Sequence, residues 1–129
     1  MRNIQIKKLK EQIDIDYTSK HMSCNVRALT FVQGESTIFF IPSLQISGYG
    51  SNEDEAREMV EIVVADYFEN LMKLSLNDVK TEFESLGFRK TAPDFTRFER
   101  VTEDIQVVIR EHEIHDCQNV KETMFEIGD

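Results

Sequence analysis

The residues best suited to chemistry are three histidines and two cysteines, which lie in two short segments. His21 and Cys24 are near the amino terminus, and His112, His115 and Cys117 are near the carboxyl terminus. Four such groups around one point would suit Zn²⁺, if the first strand of the core pairs near the last strand. Neither segment has a paired Cys-x₂-Cys, however, and ordinary strand-end residues account for the same pattern. We therefore predict no cofactor and keep the five residues only as weak metal candidates.

Carboxylates are the second group that could do chemistry. Two-metal hydrolysis needs several carboxylates on adjacent strands, holding metals about 4 Å apart. The predicted central strands carry none; Glu53, Asp54, Glu55, Glu58 and Glu61 instead lie on a predicted helix, where acidic residues in the first turn complement the helix dipole. Neither a Gly-x-Ser-x-Gly elbow nor a phosphate-binding loop is present. We predict no catalytic residue and no enzyme activity.

Composition and charge bound the remaining classes of function. The 129 residues suit one domain, 1–129, and 40% of them are apolar, enough for a core. No apolar run approaches the ~20 residues of a membrane span, and two cysteines are too few for a disulfide scaffold, so we expect a cytoplasmic protein. Residues 51–129 hold nine basic and twenty acidic groups of a chain whose net charge is −9. This charge opposes nucleic-acid binding and favours a basic protein as partner.

The elements that would position these residues begin with three strands. Asn25–Gln33 and Ser36–Pro42 are rich in β-branched and aromatic residues, and Gly34 opens the two-residue loop between them, as a type II′ turn requires. Leu44–Ser47 follows as a third short strand. Before them, Ile4 and Ile6 and then Ile13, Ile15 and Tyr17 alternate at period two, which predicts two short strands or one interrupted strand. The pattern predicts an antiparallel meander.

Two helices and further strands complete the prediction. Residues 52–73 carry a wide apolar stripe behind the possible cap Asn52, and residues 76–86 form a shorter helix ended by Gly87. Asp94–Val101 and Ile105–Ile114 are predicted to form a hairpin, with Met124–Ile127 as a possible edge strand. The predicted fold class is α+β: an antiparallel meander covered by one long helix, with a second short helix and additional carboxyl-terminal strands. The sheet face opposite the long helix needs a cover, from other strands or from a second subunit.

The run Ile41–Ala56, IPSLQISGYGSNEDEA, resembles the HicB family of antitoxins and their orphan relatives. In that family a strand ends in Pro-x-Leu, and a short strand, a Gly, a small polar cap and an acidic helix start follow. The matching positions here are Pro42, Leu44, Gly50, Asn52, Asp54, Glu55 and Ala56. The resemblance covers about residues 24–90, and it implies a partial ribonuclease H fold and binding of a small basic, HicA-like toxin.

Two parts of the chain depart from the HicB pattern. Residues 1–23 form an extension that the family does not typically have, and 91–129 are predicted as a β-hairpin region rather than a DNA-binding segment. We therefore expect a diverged orphan member that makes no direct contact with DNA.

The function predicted from the sequence is a non-catalytic protein-interaction module that forms a homo-oligomer, a dimer or larger. Tyr49, in the glycine-bearing segment before the long helix, and Glu58 and Glu61, on the helix, are the candidate partner contacts. Two alternatives stay open: a small metal-dependent or RNA-processing enzyme that uses the His/Cys segments, and a structural homo-oligomer without a toxin.

Overall fold

The computed structural model describes residues 10–91, 96–102, 105–112, 114 and 118–128. Within these residues the fold is α+β, with one antiparallel sheet of seven strands and three helices, which confirms the predicted class. The elements in chain order are β1 Lys10–Asp16, β2 His21–Gln33, β3 Ser36–Ile41, β4 Ile46–Gly50, α1 Glu53–Leu71, α2 Leu76–Ser85, β5 Arg89–Lys90, β6 Arg97–Val101, α3 Ile105–Glu111 and β7 Gln118–Ile127.

The long strand β2 organises the sheet. Cys24 and Asn25 pair with both β1 and β7, while Leu29 and Thr30 pair with both β3 and β7. Because a strand has only two edges, β1 and β3 lie end to end along one edge of β2, and β7 runs along the other. The order continues from β3 to β4 and from β1 through β6 to β5. The sheet is thus forked on one side of β2.

A buried carboxylate fills the fork. Glu11, only 1% exposed, accepts the backbone N–H of Arg27 at 2.8 Å and the hydroxyl of Ser43 at 2.9 Å with Oε2. Its Oε1 accepts from Nη1 of Arg100 at 3.1 Å, and Nε of Arg100 donates to the carbonyl of Leu86 at 3.1 Å. One side chain thereby joins β1, β2, the β3–β4 turn and β6 at the point where the strands diverge.

The main core lies between the sheet and the helices α1 and α2. Alternate residues of β2, among them Val26 and Ala28, point to this side, together with Phe39 of β3 and Phe125 of β7. The Gly87 turn after α2 is as predicted: Gly87 takes a φ of 94°, and the N–H of Phe88 donates to the carbonyl of Phe83 at 2.9 Å. The rings of Phe83 and Phe88 are in contact, with centroids 6.1 Å apart.

A smaller core lies on the opposite face of the sheet, and a helix covers it instead of the strands or second subunit that the sequence suggested. Leu29 and Phe31 of β2 pack there against Val108 of α3 and against Ile114. The predicted strand Ile105–Ile114 is wrong, because α3 occupies Ile105–Glu111. Its β-branched residues favour a strand in isolation, but burial against β2 outweighs that weak preference.

The carboxyl-terminal strands also differ from the predicted hairpin. β6 pairs with β1 and β5 instead of with the next segment, and β7 spans Gln118–Ile127 along β2, well beyond the predicted Met124–Ile127. In the meander, β2 begins earlier than predicted, at His21, and the third strand is Ile46–Gly50 instead of Leu44–Ser47. Ile4 and Ile6, predicted as a strand, lie outside the described residues.

Candidate protein-binding surface

The start of α1 packs closely against β4 because two residues of β4, Gly48 and Gly50, have no side chain. A Cβ on Gly48 would lie 2.8 Å from Cγ2 of Val60 and 2.9 Å from the carbonyl oxygen of Ala56. One on Gly50 would lie 2.5 Å from Cβ of Glu55. Only glycine permits so close an approach of helix and strand. The sequence Ser47–Gly50 therefore fixes how α1 lies at the outer end of the sheet.

The cap of α1 holds the same junction. Oδ1 of Asn52 accepts the N–H of Glu55 at 2.9 Å, as predicted for a capping residue. The carboxylate of Glu55 reaches back one residue further than in the usual box, to the N–H of Ser51 at 2.9 Å and its hydroxyl at 2.6 Å. These bonds lower the pKa of Glu55 below its ordinary value. The result is a helix start whose position relative to β4 is well determined.

An exposed apolar strip follows from this packing. The predicted stripe on α1 is wider than the face that the sheet buries: Ala56, Val60, Val64, Phe68 and Leu71 are buried. Met59 and Val63, which belong to the same stripe, remain 38% exposed, and Ile62 beside them is 71% exposed. Tyr49 of β4 is 60% exposed, and its backbone N–H points to Sδ of Met59 at 3.3 Å. The strip therefore runs along the outer edge of the molecule where β4 and α1 meet.

Acidic residues surround this strip. The helix α1 carries seven acidic residues and one basic residue, Arg57. The guanidinium of Arg57 is turned to the sheet, with its Cζ 5.6 Å from the ring centroid of Phe39 and 5.2 Å from that of Phe125. The exposed neighbours of Ile62 one turn away on the helix surface, Glu58 and Asp66, are both acidic residues. We call the set Tyr49, Glu58, Met59, Ile62 and Val63 the α1–β4 surface.

The three predicted partner contacts are divided between two sides of α1. Tyr49 and Glu58 both belong to the α1–β4 surface. Glu61 lies on the flank that faces β7, and its carboxylate pairs with Nε of Arg57 at 3.4 Å. The role of Glu61 as a partner contact remains a prediction. Ile62, the most exposed large apolar residue described, was missed because it falls outside the predicted stripe.

The weak metal candidates are far apart wherever the structure describes them. His21 and Cys24 are three residues apart on β2, so they point to opposite faces of the sheet. The ring of His112 lies edge-on to Phe40, 5.0 Å between centroids, and Phe40 pairs with Leu29. Leu29 is eight residues from His21 along β2, about 26 Å at 3.3 Å per residue. His112 therefore does not meet His21 or Cys24, whereas His115 and Cys117 lie outside the described residues.

The chemistry of Cys24 fits a core position. Its side chain is 5% exposed, and burial raises the pKa of the thiol to about 12. The reactive and metal-binding form of cysteine is the thiolate, which this environment disfavours. Cys24 therefore packs as a small apolar residue.

Glu11 is the buried acid that the sequence reasoning missed. It shares the odd-numbered face of β1 with Ile13 and Ile15, and this period-two pattern could have placed it inside. All its contacts neutralise or satisfy the carboxylate, so its arrangement serves to hold the fork. Across the described ranges of the chain, no three His, Cys, Asp or Glu side chains converge as a metal site would require.

Two further findings bear on function. None of the helices within the described ranges is long and apolar enough to cross a membrane. Comparison with models of known families, with curated proteins and with solved structures found no match.

Proposed function

We propose that this protein is a non-catalytic protein-binding module whose α1–β4 surface receives a basic partner. The observation that carries this is the 71% exposure of Ile62 on a helix with seven acidic residues and a single arginine turned inwards. Apolar side chains in the centre of a patch and charges at its rim are the usual anatomy of a protein interface. A partner with apolar residues flanked by lysine or arginine would match both features.

The resemblance of Ile41–Ala56 to HicB antitoxins makes the partner class more specific. We propose a small, basic, HicA-like protein, and a cytoplasmic setting for the encounter. Two of the residues that match the HicB pattern have structural roles in this chain: Gly50 allows α1 to approach β4, and Asn52 caps α1. They support a HicB-like arrangement of strand and helix. The HicA-like class of the partner rests on the resemblance, and its basic character rests on the charge and exposure of the α1–β4 surface.

A homo-oligomer is a second part of the proposal. In the described part of the chain, β4 and β7 each pair on one edge only, which leaves the other edge able to add a strand. Self-association through the β7 edge would keep the α1–β4 surface free for the basic partner. Light scattering coupled to size-exclusion chromatography measures the molar mass directly, and a monomer at all concentrations would overturn this part alone.

The binding proposal is tested by capture from the native host with three baits. The wild type and the control variant Leu76→Lys, which places the same charge at a 45% exposed apolar residue of α2, should retain one small basic protein. The variant Ile62→Lys should lose it, because a lysine at the centre of the surface repels a basic partner and removes apolar contact. Retention by Ile62→Lys, or no small basic protein on any bait, would overturn the proposal.

A further inference from the structure

A groove lies at the other end of α1 from the α1–β4 surface. The carboxyl-terminal half of α1, the β1–β2 turn and the end of β7 enclose a cavity of about 680 Å³. Along α1 the lining of the groove begins at Ala65, three residues or about 4.5 Å from Ile62, and continues to Met72. The groove is lined by none of the five residues of the α1–β4 surface, and its volume lies within the range of about 300–1,000 Å³ of small-molecule sites.

One wall of the groove is apolar, and Lys20, His21, Glu69 and Lys73 supply the polar part of its lining. Met22 and Phe68, which are 5% and 6% exposed, contribute to its lining, and Met72, Leu74 and Ile127 extend it. Met22 and Phe68 belong to the main core, so this part of the wall is held by packing. A wall of thioether, aromatic and aliphatic groups suits a flexible hydrocarbon body, because methionine side chains adapt to irregular shapes.

The charged residues that line the groove are mainly basic, whereas the molecule as a whole is acidic. Lys20 and Lys73 both line it, whereas Glu69 is its one acidic lining residue. Neither ammonium group forms an ion pair with a residue that the structure describes. Lys20 takes a φ of 59°, so its backbone is held in the left-handed turn conformation before β2. These two cations therefore lie beside the apolar wall of the groove, in a chain whose net charge is −9.

We propose that this groove binds a small single-chain amphiphile with a carboxylate head, such as a medium-chain fatty acid. The hydrocarbon chain would lie against Met22, Phe68 and Ile127, and the carboxylate would lie between Lys20 and Lys73. A few polar groups that orient a ligand over an apolar lining are the common pattern of small-molecule sites. Nothing in the binding of a basic protein at the α1–β4 surface requires this ligand.

The test is titration of the full chain with decanoate, followed by ¹H–¹⁵N NMR and calorimetry. We expect saturable binding with a Kd below about 1 mM, and shift changes concentrated at Met22, Phe68 and Ile127. Reversal of both groove charges, Lys20→Glu with Lys73→Glu, should weaken binding about tenfold. Lys10→Glu with Lys80→Glu makes the same change in net charge on strands and helices away from the groove, and should not alter the affinity. Ala65→Trp, at an exposed position of the groove wall, should block binding without disturbing the core.

Decylamine and decanol separate the charge from the chain. Both should bind more weakly than decanoate, and decylamine should bind the most weakly of the three. Equal binding of decylamine, no saturable binding of decanoate, or full binding by a folded Ala65→Trp variant would each overturn the proposal. Binding to phosphatidylglycerol vesicles that Ala65→Trp leaves unchanged, without binding of free decanoate, would assign the lysines to a membrane surface instead.

Discussion

Replacing Glu11 by alanine should lower the free energy of unfolding far more than replacing a charged residue that is exposed on the surface. The substitution leaves three donors without their acceptor: the N–H of Arg27, the hydroxyl of Ser43 and the guanidinium of Arg100. Removal of one partner from a buried, hydrogen-bonded charge pair costs about 3–5 kcal/mol. Arg100 is 24% exposed and regains some hydration, so we expect about 3–4 kcal/mol. That is a large part of the 5–15 kcal/mol typical of a domain.

The assay is urea denaturation followed by circular dichroism. With a slope of about 2 kcal/mol per M, the loss corresponds to a midpoint lower by about 1.5–2 M. Glu11→Gln keeps the shape and one acceptor oxygen, and should fall between the wild type and Glu11→Ala.

Asp14→Asn is the matched control for this prediction. Asp14 pairs with Nε of Arg97 at 2.7 Å on the same two strands, but both side chains are substantially exposed, at 37% and 49%. Water and salt screen such a pair, so its loss should move the midpoint only slightly. If Glu11→Ala shifted the midpoint no more than Asp14→Asn, the role assigned to the fork would be refuted.

Three other predictions follow from single positions. Gly48→Ala should lower the unfolding free energy by about 1–3 kcal/mol, because the added Cβ would lie within 3 Å of backbone and core atoms of α1. Urea denaturation measures this loss, and an unchanged stability would contradict the close packing of α1 on β4. In a Cys117→Ser background, Cys24 should react with a thiol reagent only after unfolding, since burial raises the pKa of its thiol from an ordinary value of 9.0 to about 12. Rapid labelling of the folded chain would disprove the burial. Because the pKa of Cys24 is higher in the folded chain, the neutral thiol contributes its full share of the unfolding free energy below about pH 9. That contribution, measured against Cys24→Ala, is lost as the pH rises. A chelator should leave the thermal midpoint unchanged, because His112 lies against Phe40, away from His21 and Cys24; a chelator-induced fall that zinc reverses would revive the metal alternative.

The local signals in the sequence predicted the centre of the fold. The meander followed from the β-branched runs around Gly34, which takes the required positive φ of 63°. The helices α1 and α2 followed from their caps and periodic apolar residues, and the bonds of Asn52 and Gly87 are local ones that the chain makes with its near neighbours. The candidate surface was only partly predictable, because the stripe on α1 contains more apolar residues than the sheet has room to bury.

The sequence by itself determined the α+β class, the meander order of β2, β3 and β4 and the ends of the two longer helices, since each depends on residues within one or two turns. Only the tertiary structure decided that Ile105–Glu111 is a helix, that β7 lies along β2, and that Glu11 is buried in a fork. These outcomes depend on contacts between residues 16 to 103 positions apart, such as Glu11 with Arg27 and Arg100 and β2 with β7. Burial of a short segment against a distant strand contributes more free energy than the segment's own preference for helix or strand. The spacing of residues within the segment does not indicate which strand it will pack against.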